Sequence, residues 1–378
     1  MNMFEPVFIA FRNNHGRQKW SARIQGRGTF RLRFLFLSML ALVTSDTLYA
    51  QKSNGGATGS AGANVGTTTA AAFLEIGVGA RAQAMGGAFA ALAQDVTAMY
   101  WNPAGLAKIT GLEASFTHIN WLVDTNFDFA GIAVPIGKKA ALGVNVTVFG
   151  TGEQPVRVVG QEEGTGEFYS ALDLAAGVTF ALNLTDRFSF GVNAKYVQQR
   201  IWHSSAKGFG IDVGGLYETQ IDGLQIGFSI SNFGSDLSLS GRDLRNVLDP
   251  DILNEGVDNI PVSYETDSFT LPQLFRFGLS YQRPVLIERS TLTLAVDLLH
   301  PNNDEESINL GAEYLMVDTF ALRAGYRSLF LSDRISGLSL GTGFIIPTRS
   351  DMTINIDYAY VDYGILKAVH NFSLSLQF

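Results

Sequence analysis

Five histidines are the first residues to test for chemistry: His15, His118, His203, His300 and His370. No two of them stand at the His-x-x-x-His spacing that brings two imidazoles to one metal. A serine hydrolase needs a base within reach of its nucleophile, and His203 beside Ser204 and Ser205 is too thin a set to carry that chemistry. Two acidic runs, Asp249/Asp251/Glu255/Asp258 and Asn302/Asn303/Asp304/Glu305/Glu306, supply oxygen atoms of the kind Ca²⁺ takes, but without the spacing of an EF-hand. The Gly-x-x-x-x-Gly-Lys-Ser/Thr run that cradles phosphates is missing. Cysteine is absent, which removes disulfides, thiolate metal sites, cysteine nucleophiles and a lipid-anchoring thiol. The expectation is a protein that is not an enzyme and uses no metal or cofactor.

A second set of polar residues is more telling, because it sits inside apolar segments. Asp173, Lys195, Asp212, Arg276, Asp297, Glu313, Arg323, Arg327 and Asp357 each fall on the polar side of a stretch that alternates with period two. In Phe188–Tyr196, for example, Phe188, Phe190, Val192, Ala194 and Tyr196 alternate with Ser189, Gly191, Asn193 and Lys195. Successive side chains of a strand point to opposite faces, so such a segment has one oily and one polar side.

Fourteen segments of this kind follow Gly111. They are Leu112–Asn120, Thr125–Gly137, Ala140–Gly150, Ser170–Leu182, Phe188–Ile201, Gly208–Thr219 and Leu224–Gly234, then Leu271–Arg283, Ser290–His300, Ser307–Val317, Thr319–Ser328, Gly337–Pro347, Met352–Gly364 and Ala368–Phe378. Their number is even, and their lengths match the 9–11 residues of a tilted strand crossing a bilayer. Loops at one end are short, whereas the other end carries Thr151–Tyr169 and Ser235–Thr270, the asymmetry of short periplasmic turns and long outer loops. Within Thr125–Gly137, Phe127 and Phe129 give way to Ile132, Val134 and Ile136, which predicts a bulge.

Composition agrees. Of 378 residues, 46% are hydrophobic and 16% charged, with 40 Gly, 27 Phe and 12 Tyr, a pattern of many short strands and tight turns. No apolar run reaches the roughly 18 residues of a spanning helix. Net charge is −8, split into +5 over the first fifty residues and −13 over the rest, and no basic stripe for nucleic acid appears. Arg27, Arg31 and Arg33 precede the apolar run Phe34–Val43, and Leu48-Tyr49-Ala50 follows, the layout of a cleaved export signal over residues 1–50. A soluble sandwich also alternates; the export signal and the loop asymmetry favour an all-β transmembrane antiparallel barrel over residues 111–378.

Fourteen strands enclose more space than wall side chains fill, since about eight suffice for a packed interior. Residues 51–110 are the candidate filler, a hatch inside the barrel. The stretch is rich in small residues, which let backbone pack closely. Asp95 is placed to cap a short helix through Tyr100, and Pro103 with Gly105 to end it. The lumen-facing charges Lys195, Asp212, Arg276, Asp297, Glu313, Arg323, Arg327 and Asp357 either hold that hatch by salt bridges or line a polar cargo cavity.

Gly79-Ala80-Arg81, Met85-Gly86-Gly87-Ala88-Phe89, Asp95 and Tyr100-Trp101-Asn102-Pro103-Ala104-Gly105-Leu106-Ala107 resemble the hatch of FadL-like outer-membrane barrels, and within them the PorV/PorQ branch. The closing strand, with Phe372, Leu374, Leu376 and the terminal Phe378, resembles the signal read by the barrel assembly machinery. This resemblance implies a bacterial outer-membrane location in contact with lipid. It implies a type IX secretion role with three sets of partners: the translocon, the attachment complex and cargo signal domains. FadL-like relatives instead pass hydrophobic molecules such as fatty acids. The acidic loop Ser235–Thr270, with Asp249, Asp251, Leu253 and Tyr264, is the candidate docking surface, because loops beyond about 15 residues are usually functional or disordered.

Overall fold

The computed structural model describes residues 68–248, 260–285, 289–331, 337–348 and 352–378. The expected leader, residues 51–67 of the expected hatch, and Asp249, Asp251 and Leu253 lie outside the described residues.

Alternation builds fourteen long strands. The first seven are β1 (Glu113–Asn120), β2 (Thr125–Ile136), β3 (Ala140–Thr151), β4 (Ala171–Asn183), β5 (Phe188–Ile201), β6 (Ser204–Glu218) and β7 (Leu224–Gly234). The second seven are β8 (Leu274–Pro284), β9 (Thr291–Pro301), β10 (Ser307–Met316), β11 (Phe320–Leu329), β12 (Leu338–Pro347), β13 (Thr353–Asp362) and β14 (Ala368–Gln377). Each pairs antiparallel with its neighbour in sequence, and β1 pairs antiparallel with β14 from Glu113↔Gln377 to Asn120↔His370. The ring is closed, so no long strand offers an open edge to another chain.

The outward faces are oily. Phe190, Ile211, Leu294, Val296, Leu322, Ile356, Phe372 and Leu374 are all exposed, as a lipid-facing surface requires. The inward faces are polar or small: Ser189, Asn193, Asp212, Ser229, Asp297 and Arg323 are buried. Connections at one end never exceed six residues, and the other end carries the long loops. By the rule for such barrels, the short-turn end faces the periplasm.

The expected bulge in β2 is not there. Its registers with β1 and with β3 run without a shift, and Phe127 and Phe129 are buried inward while Ile132 and Val134 face outward. The strand never slips; two phenylalanines point into the ring because an apolar neighbour waits there. The irregularities fall instead between Ile211 and Val213 on the β6–β7 pair and between Ile308 and Leu310 on the β10–β11 pair. Strand β6 also starts earlier than expected, at Ser204, leaving Trp202 and His203 as a tight turn in which Trp202 takes φ 49°. Both long outer loops contain ladders of their own. Gln154–Pro155 pairs with Phe168–Tyr169, Leu237–Ser238 with Ser268–Phe269, and Arg245–Leu248 with Ile260–Ser263.

Candidate functional site

Residues 68–110 pack against the polar faces of the strands. Small side chains keep this segment thin: Ala80, Ala82, Ala84, Ala88, Ala90 and Ala93 are all buried. Short turns fold it, a helix α1 (Ala80–Ala84), a helix α2 (Ala98–Trp101) and 3₁₀ turns at Ala72–Glu75 and Pro103–Lys108. Gly86 and Gly87 take φ 67° and 74°, the left-handed conformation that only glycine adopts freely, and so reverse the chain after α1. Asp95 accepts from the backbone N–H and the hydroxyl of Thr97 and thereby organises the turn into α2. Helix α2 starts two residues later than expected, at Ala98, so that Thr97 and not Asp95 stands at its N-cap. Asn102 ends it in extended backbone, and its side-chain oxygen accepts from Ala104 N.

The segment runs from the long-loop end to the short-turn end. At its start Ala70 N donates to Thr270 O (2.9 Å) and Ala71 N to the Gln199 side chain (2.9 Å). At its finish the Asn183 amide donates to Ala107 O (2.8 Å), and Lys108 pairs with Glu218 (2.6 Å). Between them the wall grips it by charge and by dipole. Arg81 makes a bidentate pair with Glu313 (2.7 and 2.9 Å). Asp297, fully buried, accepts from both Phe89 N and Ala90 N (2.9 and 2.8 Å) through one oxygen. Ser373 accepts from Ala80 N, and Ser229 donates to Trp101 O. Asn102 donates to Ala90 O and to Gly215 O, tying the segment to itself and to β6.

The lumen charges therefore do more than form salt bridges to the hatch. Of the eight, only Glu313 pairs ionically with the segment among the described residues. Arg323 links Glu313 (2.6 Å) to Asp357 (2.6 Å) within the wall, and Lys195 pairs with Asp212 (2.7 Å). Arg276 donates to the Ser231 hydroxyl, and its guanidinium lies over the Tyr100 and Trp101 rings at 5.5 and 5.2 Å. Arg327 donates to the Gln83 amide. Trp101 donates from its indole to Val78 O (2.8 Å), Phe89 packs edge-on against its ring, and Met85 is fully buried in the same core. An apolar core forms where this segment meets Phe127, Phe129 and Ile119, which explains the inward phenylalanines of β2.

Inward-facing glycines of the wall, not singled out by the sequence reading, complete the grip. A methyl group at Gly191 would strike Pro103 backbone, at Gly227 the Ala90 carbonyl, and at Gly325 the Met85–Gly86 peptide. Glycine inside a strand marks close approach of another backbone, and that signal was present in the sequence.

At the short-turn end the segment stops short of filling the ring. An open cavity of about 290 Å³ remains, lined by Arg81, Gln94, Asp95, Gln225, Gln282, Glu313, Asn355 and Asp357 among others. Amides, hydroxyls and charges make up most of its walls, with Leu92, Leu315 and Ile345 among them.

At the long-loop end His203 does not form a catalytic set. Ser204 donates its hydroxyl to Asp243 rather than to His203, while Asp243 also binds His203 N and Nδ1 (3.1 and 3.0 Å). Desolvation pushes the Asp243 carboxyl up, but the hydrogen bonds from His203 and Ser204 together outweigh it and hold the group below its ordinary value. The contribution is complete at neutral pH and lost as pH falls through that lowered value. Asp243→Asn is expected to loosen the root of the long loop, read as faster protease cleavage between residues 235 and 270 in the intact barrel. Asn303, in the other acidic run, donates to Thr69 and Glu75, and Glu306 pairs with His300. Tyr264, in the candidate docking loop, is exposed and accepts from Asn246 (3.0 Å).

A closed fourteen-stranded meander with an oily exterior and a polar interior defines an outer-membrane β-barrel. The family model described as "Type IX secretion system protein PorV" matches residues 60–260, more than half the chain, and the chain belongs to that family. No curated protein sequence matches. Among solved structures, the fold is similar to the toluene transporter TbuX of Ralstonia pickettii (15% identity, 79% of this chain and 97% of that one, TM-score 0.50). It is also similar to the monoaromatic hydrocarbon channel CymD (15%, 80% and 96%, TM-score 0.52) and to the toluene transporter TodX of Pseudomonas putida (14%, 79% and 96%, TM-score 0.50). The likeness is one of fold.

Proposed function

We propose that this barrel is a non-catalytic, surface-facing component of type IX secretion, made with a cleaved export signal over residues 1–50. Its outer loops bind exported cargo or the attachment complex, and its segment 51–110 serves as a hatch. The observation that carries the reading is where the sequence invests its material. The ring is occupied by a segment held to strands on all sides. The longest loop, by contrast, stands on its own ladder, Arg245–Leu248 with Ile260–Ser263, and exposes Val247, Leu248, Ile260 and Tyr264. Apolar and aromatic side chains displayed on paired loop strands supply the kind of contact surface on which a protein partner docks. The fold likeness to hydrocarbon transporters supports a second reading, passage of hydrophobic compounds. The cavity at the short-turn end favours the first, because most of its lining side chains are polar or charged, whereas sites for oily ligands are lined mainly by apolar and aromatic groups.

Replacing residues 242–264 by a short Gly/Ser turn tests the reading. The expected result is a folded barrel in the outer membrane with surface cargo lost and cargo no longer co-purifying. Unchanged cargo display, with slower uptake of a hydrophobic solute in a strain lacking the whole barrel, would overturn it in favour of transport.

A further inference from the structure

One part of the lipid-facing surface breaks the rule that governs the rest. On the adjoining faces of β5 and β6, outward residues pair in register as Phe188↔Tyr217, Phe190↔Gly215, Val192↔Val213, Ala194↔Ile211 and Tyr196↔Phe209. Aromatic residues close this band at both ends, and Tyr196 and Phe209 pack with ring centroids 5.6 Å apart. Eight residue steps of strand span roughly 27 Å. Tilted by 35–45°, they cover about 20 Å of membrane depth, close to the apolar band of about 25 Å such barrels carry. The Tyr196–Phe209 pair therefore marks the outer edge of the hydrocarbon.

The next outward pairs beyond that edge are Gln198↔Lys207 and Arg200↔Ser205. Arg200 and Lys207 are exposed and stand diagonally on one face, a relation that leaves long side chains within reach of a common ligand. In the halves of the fourteen strands nearer the long loops, they are the only outward-facing Lys or Arg residues. Neither forms an ion pair with a carboxylate among the described residues. Arg200 donates from Nε to Trp202 O (3.2 Å), which leaves the far end of its guanidinium for other partners. Asp243, on the outer loop beside the start of β6, is bonded to His203 and Ser204. Below the two cations, Phe209 and Phe233 expose their rings and Ile211 and Ile230 their branched chains, a surface on which acyl chains can lie.

From this juxtaposition we infer that Arg200 and Lys207 bind the phosphate of an outer-leaflet lipid headgroup whose acyl chains pack on Phe209, Phe233 and Ile211. An overall acidic protein gains nothing from scattered cations at this depth. Two placed together above an aromatic edge match a phosphorylated amphiphile in charge, spacing and depth.

The full barrel in a neutral detergent is titrated separately with bis-phosphorylated lipid A, phosphatidylethanolamine and inorganic phosphate, and bound molecules are read by native mass spectrometry. Wild type should retain lipid A in preference to phosphatidylethanolamine. The double variant Arg200→Gln/Lys207→Gln should bind lipid A about thirtyfold more weakly, or about 2 kcal/mol. Arg283→Gln, an outward cation at the opposite end of β8, should bind as wild type does. Equal binding by the double variant overturns the assignment, and so does equal retention of phosphatidylethanolamine by wild type. Displacement of lipid A by millimolar inorganic phosphate also overturns it, as that outcome makes the place a free-anion site. Both side chains are exposed, and heat-modifiable mobility of the variant confirms a folded barrel before binding is read.

Discussion

Gly325→Val is expected to cost the barrel a large part of its stability. Gly325 lies on β11 and faces inward, and the space its side chain would need is taken by the backbone of Met85 and Gly86. Backbone stands on both sides of the contact, since Gly86 itself lies against the backbone of Tyr326. No flexible side-chain end can swing aside, so either the ring or the segment must move. Overpacking of an ordinary core costs about 1–3 kcal/mol, and a backbone collision belongs at or above the top of that range. Against a typical stability of about 5–15 kcal/mol, the expected outcome is a severalfold loss of heat-modifiable barrel and a clearly lowered Tm. The neighbouring Ala324 faces lipid and is exposed, so Ala324→Val should stay within about 0.5 kcal/mol of wild type. If both variants behave alike, the close approach of segment and wall is not what holds them together.

Glu313→Gln is the second large effect. Its carboxylate is shared by Arg81 and Arg323, and Arg323 passes the chain on to Asp357. Removing one charge leaves a buried guanidinium, Arg323 at 3% side-chain exposure, with half its compensation gone. Breaking buried pairs in this way costs about 3–5 kcal/mol. Arg81 is 36% exposed, so Arg81→Gln removes a partly solvated partner and should cost about 1 kcal/mol. Denaturant unfolding in lipid vesicles reads both, and the order matters more than the values. An Arg81 variant weaker than the Glu313 variant would mean that the link between segment and wall, not the wall's own charge chain, bears the stability.

Alternation made the wall legible. β5 and β7 begin and end where the sequence predicts, and most of the others differ by one or two residues, because a strand between lipid and lumen has only one way to be oily on one side. The same code misread β2. It assumes a polar interior, and Phe127 and Phe129 break the assumption where α2 and the 3₁₀ turn after it bring Met99 and Leu106 against the wall. The hatch motif marked the residues that bond the wall, Arg81 and Asn102 above all, yet not their partners. That Glu313 would meet Arg81 while Lys195 would meet Asp212 depends on register and on the path of the segment, and neither is written in spacing. The loop ladders were hidden for a simpler reason. Strands of two to four residues are too short to show a period.

Trp101 gives this architecture an optical consequence. Its indole is buried, hydrogen-bonded to Val78 O and covered by the Arg276 guanidinium, while Trp121 and Trp202 lie partly solvated near the rim. Emission from position 101 in a Trp20→Phe/Trp121→Phe/Trp202→Phe background should therefore be blue-shifted in the native protein and move red when the inner segment lets go. Circular dichroism of the strands follows the ring on a separate channel. One cuvette can thus time release of the filling against collapse of the wall.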